Sequence, residues 1–561
     1  MTSNLNYIVG IIGNPVQCDV EWSDENLLEM KRLGFNVLQL NIAWGYRPCD
    51  EPLNLEDVLL TNSTEEYQKS RVILRRSKMI SRLQQCRKHG FRSLFHFGAP
   101  FNGENGYIGL PLNNCISDKD LVKHYVELIH QLNEQIPGID DILIYTYDQD
   151  AWLCSEFSGC KHCFGIPLHQ RLPEFINALA KAWEQVNPQG KLWWEPWELS
   201  SGQVFETVKR LSATNIGLSL HSNIGEVQKT QPGDMWLKNT ARLAQERKIP
   251  VIAELFLGQS SEETEPLRRV PVPRLTYNQI SAVRNISGIT GIKEYYGVIP
   301  NDGDPCLEVM NWMLREPEKH LDKILAEVAS PYGPANTKVV AMWELAAQGY
   351  EVFPWDVSWY AREIGRAKID HGWNAAFIRG QQCSTPSWDS SRHSVFMKTD
   401  DSQPHQWMIE DIQLRCAWAA ELLEKATAQC LLAMEVIPGE SKEGYYLGES
   451  LSSLTHFSKV CRSYELHLRE TNLASMIRIN RGKCDMIVEP LIKELRDLIC
   501  RDIANQNGNI DVVKMLKKFD EDPSAWLDCY LVEPAKESEN NLVSGRVDAV
   551  MLNNAFTLTT R

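Results

Sequence analysis

About the first 310 residues alternate short apolar runs with amphipathic stretches of helical period, and the pair recurs eight times. The apolar runs are Tyr7 to Ile12, Asn36 to Ile42, Ser93 to Phe97, Asp141 to Tyr147, Lys191 to Glu195, Ile216 to His221, Val251 to Leu255 and Gly291 to Tyr295. Each has the length of one strand. The helical stretches between them, such as SDENLLEMKRLG and LPEFINALAKAWEQV, tend to open on Ser, Asp or Thr and to close on Gly, Asn or Pro, as helix caps require. Strands this apolar are covered on both faces, which is the signature of a parallel sheet. Eight such units in about 300 residues predict an α/β fold, a (β/α)8 TIM barrel. An open doubly wound sheet is the alternative. The barrel is preferred because polar and aromatic residues gather directly after strands 2 to 8, as AWGYRPCD, HFGAPFNG, YDQDAW, EPWE, HSN, ELF and EYYG, the face on which barrels carry their sites.

From about Glu316 the strand signal fades and long amphipathic segments follow, among them TKVVAMWELAAQGYEV and IVEPLIKELRDLICRDIANQ. This predicts an α-helical domain after the barrel. The expected division is 1–310 for a catalytic barrel, 311–533 for the helical domain and 534–561 for an unassigned tail. A less regular stretch from Asp370 to Pro404 reads as a long loop near the barrel mouth.

Charge narrows the partners. Lys and Arg number 58 against 73 Asp and Glu, a net charge of −15, so the average surface repels nucleic acid and anionic membranes. No run of about 18 apolar residues and no basic, apolar leader is evident. The fifteen cysteines then read mostly as reduced thiols, and the expected compartment is the cytoplasm. Phosphate-loop, HExxH and convincing GxSxG motifs are missing from the sequence, and no organic cofactor is called for.

The sharpest segment is IYTYDQDAWLCSEFSGCKHCFG, where strand 4 runs straight into Asp148, Asp150 and Trp152. A partly desolvated carboxyl at a strand end holds its proton and suits general-acid work; a helix cap is the plainer reading. Strand 5 ends in LWWEPWE, which sets Glu195 and Glu198 among Trp193, Trp194 and Trp197. Indole walls beside carboxylates suit sugar rings, although a Trp-rich core would look the same. Glu254 ends strand 7, and Lys293, Glu294 and Tyr295 end strand 8. Strands 4 and 7 are expected on different sides of the barrel mouth, three strands apart, so a carboxylate from each can flank one bond. His96 and His221 end strands 3 and 6 and are candidates for substrate hydroxyls. Trp44, Tyr46 and Arg47 follow strand 2, with Arg47 suited to an acidic sugar. From the helical domain, VFPWDVSW offers Trp355, Asp356 and Trp359. Cys154, Cys160 and Cys163, with His162 between them, form a C-x5-C-x2-C loop that could hold a structural Zn²⁺, the alternative being packed thiols.

YTYDQDAWLCSEFSGCKHCFGIP resembles bacterial (β/α)8 glycoside hydrolases similar in style to α-glucuronidases and β-hexosaminidases, in which an acidic strand end precedes a W-x-C…C-x-x-C run. EPEKHLDKILAEVASPYGPANTKVVAMWELAAQGYEVFPW is similar to the helical domain that follows such barrels. The resemblance implies an exo- or endo-acting glycosidase. Where hexosaminidases carry adjacent Asp and Glu, this chain reads Asp-Gln-Asp, and no full α-glucuronidase signature is present.

These readings combine into a glycosidase acting on an oligosaccharide or glycoconjugate. Asp150 or Asp148 is the expected proton donor, Glu254 or Glu195 the opposing carboxylate, and Trp44, Arg47, His96, Trp152, Trp194, Glu198, His221, Glu294, Tyr295 and Trp355 the expected substrate contacts. The rival readings are a metal-dependent sugar isomerase or aldolase with Glu195, His221, Glu254 and Glu294 as ligands, and a barrel that binds saccharide without cleaving it.

Overall fold

The eight apolar runs form eight parallel strands that close into one barrel in sequence order: β1 (Tyr7–Ile11), β2 (Val37–Gln39), β3 (Arg92–Gly98), β4 (Asp141–Tyr145), β5 (Leu192–Glu195), β6 (Ile216–Leu220), β7 (Val251–Leu255) and β8 (Ile289–Glu294). Eight helices alternate with them: α1 (Asp24–Arg32), α2 (Glu66–His89), α3 (Lys119–Gln135), α4 (Leu168–Val186), α5 (Ser201–Arg210), α6 (Met235–Glu246), α7 (Pro273–Arg284) and α8 (Pro305–Arg315). The computed structural model describes residues 5–42, 50–62, 64–100, 114–146, 153–154, 156–157, 159–196, 199–221, 229–230, 233–355, 364–367, 369, 406–483, 485–506, 508, 510–524 and 526–527. Expectations for the loop from Asp370 to Pro404 and for the tail fall outside these residues.

Local chemistry starts and stops the helices as the sequence predicts. Ser23 accepts from the Asn26 N–H, with Asp24 and Glu25 in the first turn and Lys31 and Arg32 in the last, which complements the helix dipole. Ser200 and Gln203 form a capping box at α5. Gly90 ends α2 at φ 71°, a left-handed conformation that a side chain disfavours.

The two compact units comprise the described residues of Met1–Gln259 with Leu275–Ile324, and those of Ser260–Arg274 with Leu325–Arg546. In the first unit the strand pleat sorts residues by parity. Tyr7, Val9, Val37, Leu94, Leu143, Trp193 and Ile252 pack together as the apolar filling of the barrel. Beneath them, Tyr7 Oη donates to Asp141 at 2.5 Å, and Arg92 reaches the same carboxylate at 2.9 Å, so the lower opening is plugged by a paired charge.

Trp193 fits this filling because its strand partner is Gly217. A Cβ at Gly217 would stand 2.2 Å from the indole. Gly217→Ala is therefore expected to cost about 1–3 kcal/mol through overpacking. The readout is a lower urea midpoint at unchanged slope, partly restored in Gly217→Ala/Trp193→Phe; an unchanged midpoint would contradict this packing.

The second unit is helical. It contains α9 (Leu321–Val328) from Leu325 onward, α10 (Asn336–Val352), α11 (Gln406–Met434), α12 (Lys442–Asn480), α13 (Asp485–Asn505) and α14 (Ile510–Glu521). α11 packs against both α10 and α12, and α12 also packs on α13. Leu473, Ile477, Leu495, Ile499, Phe519 and Trp526 belong to one of its apolar cores. Among the described residues no helix is long and apolar enough to cross a membrane.

The interior of α12 is unusually polar. Glu470 is fully buried, with His467 Nδ1 at 3.5 Å and Asp502 of α13 close by. Burial pushes its carboxyl up to about 8. Because this lies above the unfolded value, the stabilisation is complete below about pH 4.5 and is lost as pH rises through about 8. The dependence is at most one proton, or about 1.4 kcal/mol per pH unit. Glu470→Gln is expected to flatten the urea stability profile between about pH 5 and 8. An identical slope in both proteins would contradict the assignment.

Candidate active site

Two residues above the apolar filling, the same inward parity brings polar groups together at the C-terminal end of the barrel. These are His96 of β3, Glu195 of β5, Ser219 of β6, Glu254 of β7 and Lys293 of β8. Register supports the convergence, since Glu254 pairs with Lys293, and Trp193, inward and two residues before Glu195, pairs with Gly217, two before Ser219. All five are buried.

Lys293 is the hub. Its Nζ donates to Glu254 Oε1 at 2.8 Å and lies 3.9 Å from Glu195 Oε2. Ser219 Oγ donates to the same Glu254 Oε1 at 2.7 Å. The other oxygen, Oε2, receives no hydrogen bond from the described residues. Glu254 is thus held through one oxygen, while the other is buried and unbonded among the described residues.

Electrostatics fix the protonation states in this cluster. Burial by itself would raise the Glu254 carboxyl, but the charges of Lys293 and His221 and the hydrogen bonds from Lys293 and Ser219 outweigh it, leaving the group below its ordinary value. Burial would likewise lower the Lys293 ammonium, yet Glu254 and Glu195 hold it above the ordinary amine value. His96 is pushed well below the ordinary imidazole value, first by burial and then by Lys293, so it is neutral at pH 7. Its Nε2 lies 3.5 Å from Glu195 Oε2.

An aromatic layer sits next to this cluster. Leu53, Tyr145, Phe256, Tyr295 and Tyr296 pack together, with Tyr295 edge-on to Phe256 at 5.1 Å and its ring 5.5 Å from Lys293 Nζ. Tyr145 stands edge-on to His96 at 5.8 Å. Just after β2, Asn41 accepts from the His96 N–H at 3.1 Å and donates to the His96 carbonyl at 2.8 Å, which locks the end of β3. His221, after β6, stacks on Trp236 at 6.0 Å.

Three expected substrate contacts have other surroundings. Trp194 has the opposite parity to Trp193; it is fully buried and its indole donates to Thr146 Oγ1 at 3.0 Å, so it packs outside the lumen. Glu294 likewise turns away from the lumen. Its carboxylate accepts the backbone N–H groups of Leu257 at 2.7 Å, Gly258 at 3.2 Å, Tyr296 at 3.0 Å and Gly297 at 3.2 Å, tying the β7 loop to the β8 loop. Trp355 belongs to the core of the second unit, where its indole donates to the Tyr350 carbonyl at 2.8 Å and its ring packs on Phe353 and Phe457. Asp148, Asp150, Trp152, Trp44, Arg47 and Glu198 lie outside the described residues.

The four residues of the metal-isomerase reading do not converge. The ligand atoms of Glu195, His221, Glu254 and Glu294 form no group within metal-holding reach. An ammonium stands between the two inward carboxylates, and Glu294 is committed to backbone N–H groups. Both features oppose a cation there.

Sequence reasoning singled out Lys293 but not as a site residue, and it missed Ser219 and Tyr145. Parity was the available signal: Gly291 pairs with the inward Tyr7, and two residues further on the inward position is Lys293, not Glu294.

The closed parallel barrel is a (β/α)8 fold, followed by a helical domain. The chain is similar to a GH138 enzyme targeting pectin rhamnogalacturonan II, with a TM-score of 0.57 and 11% identity over 90% of this chain and 63% of that one. It therefore spans less than two thirds of that enzyme's length. Also similar are endo-glycoceramidase II from Rhodococcus sp., with TM-score 0.36, 12% identity and coverage of 55% and 81%, and CpGH84B, with TM-score 0.35, 12% identity and coverage of 96% and 77%. No family model and no curated protein matches the chain.

Proposed function

We propose that the chain is a retaining glycoside hydrolase in which Glu254 is the nucleophile and Asp148 or Asp150 is the proton donor. The observation that carries this reading is the state of Glu254: held below its ordinary carboxyl value, buried, anchored through Oε1 by Ser219 and Lys293, with no hydrogen bond to Oε2 from the described residues. A depressed pKa suits a nucleophile and disqualifies a general acid. In the first step Oε2 bonds to the anomeric carbon while the glycosidic C–O bond breaks, and the leaving oxygen takes the acid's proton. In the second step the Asp carboxylate that gave up its proton takes one from water, and the resulting hydroxide attacks the anomeric carbon and releases Glu254. Glu195 shares Lys293 and approaches His96, a positioning role.

The substrate class is an oligosaccharide or glycoconjugate, bound against the aromatic layer of Tyr145, Phe256 and Tyr295. The test is hydrolysis of α and β aryl glycosides, neutral, N-acetylated and uronic, together with rhamnogalacturonan II fragments, by wild type, Asp150→Asn and Asp148→Asn, with and without EDTA. Chelator-resistant turnover that falls in one Asp variant supports the proposal. Silence across the panel, or turnover unchanged in both Asp variants, speaks against it.

A further inference from the structure

Three cysteines of the β4–α4 connection, Cys154, Cys160 and Cys163, meet a fourth that the sequence kept apart from them. Cys115 arrives from the β3–α3 connection, and the four sulfurs all lie within 4.8 Å of one another. The four residues are 0–4% exposed and pack as one cluster. None of these four is disulfide-bonded.

The local geometry is that of a turn built around sulfur. The His162 N–H points at Cys160 Sγ at 3.4 Å, and the Phe164 N–H donates to the Cys160 carbonyl at 2.9 Å. Gly159 and Gly165 flank this Cys-x2-Cys turn at φ 71° and 73°, conformations that favour glycine. Arg171, itself buried, donates to the Cys154 carbonyl at 2.6 Å and brings a positive charge beside the sulfurs. A tetrathiolate around a divalent cation carries a net charge of about −2, so a buried guanidinium is a fitting neighbour.

We infer that Cys115, Cys154, Cys160 and Cys163 form a structural zinc site that ties the β3–α3 connection to the β4–α4 connection. A tetrahedral ion with Zn–S bonds of about 2.3 Å spaces its sulfurs by about 3.8 Å, within the observed limit of 4.8 Å. Four thiolates complete the tetrahedron, which marks a structural rather than a catalytic ion. On binding, four S–H protons are released as four Zn–S bonds form, with no change of oxidation state. In the sequence, Asp148 and Asp150 lie between Tyr145 and Cys154, in the same β4–α4 connection. The inference does not depend on the glycosidase reading.

The test is metal analysis of the full chain, purified with a non-chelating reductant and no added chelator. About one zinc per chain is expected. The wild type reconstituted with Co²⁺ should show the intense sulfur-to-cobalt charge-transfer and d–d bands of a tetrahedral thiolate site, a readout needing no variant. Cys115→Ser should weaken zinc retention against a chromophoric chelator by more than the ~10–100-fold that outer-shell changes cost. Cys86→Ser, a buried thiol on α2 outside the cluster, should leave retention unchanged. Wild type without stoichiometric zinc, cobalt without charge-transfer bands, or Cys115→Ser holding zinc as tightly as wild type would each overturn the site.

Discussion

Glu254→Gln is expected to lower kcat/KM on any glycoside the chain turns over by about 10²–10⁴-fold or more. The amide keeps the size of the carboxylate and retains an oxygen for Ser219 and Lys293, but it cannot attack an anomeric carbon. Lys293 keeps Glu195 at 3.9 Å, so the buried ammonium is not left without a counter-charge. The expected stability loss is correspondingly modest, about 1–3 kcal/mol, and the near-ultraviolet circular dichroism should stay native. Turnover within about threefold of wild type would remove Glu254 from the chemistry.

Lys293→Met is expected to have the largest effect on stability. Removing the ammonium leaves Glu254 and Glu195 buried without the cation between them, and breaking a buried pair in this way costs about 3–5 kcal/mol. The sign with pH follows from the two groups. Glu254 sits below its ordinary value, so its contribution is present above about pH 4.5 and is lost as pH falls through its lowered folded value. Lys293 sits above its ordinary value, so its contribution is present below about 10.5 and is lost as pH rises through its raised folded value. The wild-type pair therefore stabilises the fold across neutral pH, and the gap to Lys293→Met should narrow in acid as the carboxyls protonate. Without the cation the Glu254 carboxyl rises, so the acid limb of the variant's residual pH–rate profile should move to higher pH. A variant as stable as wild type at pH 7, with an unmoved acid limb, would contradict the hub role of Lys293.

The barrel was legible because parallel strands covered on both faces must be apolar throughout, as VIAEL and DILIY are, while the intervening helices carry caps such as Ser23 and Ser200. The level of the site was legible for the same reason: a barrel strand turns polar where it leaves the core. What a list of strand-end residues did not reveal was direction. Glu294 and Lys293 are adjacent, yet the pleat sends one to the loop backbone and the other into the lumen. The same distinction separates Trp194 from Trp193. Cys115 was beyond local pattern, because it joins the other three cysteines only through the adjacency of β3 and β4. Trp355 read as a substrate contact offered by the helical domain, but its ring is stacked within its own unit.

The central claim is that Glu254 forms the covalent glycosyl intermediate. The most direct test is peptide mass spectrometry after incubation with an activated 2-deoxy-2-fluoro form of whichever sugar the aryl panel identifies. The account predicts one glycosyl mass added to the peptide containing Glu254 in the wild type and none in Glu254→Gln. Labelling of a different carboxylate, or steady turnover with no adduct at all, would contradict it.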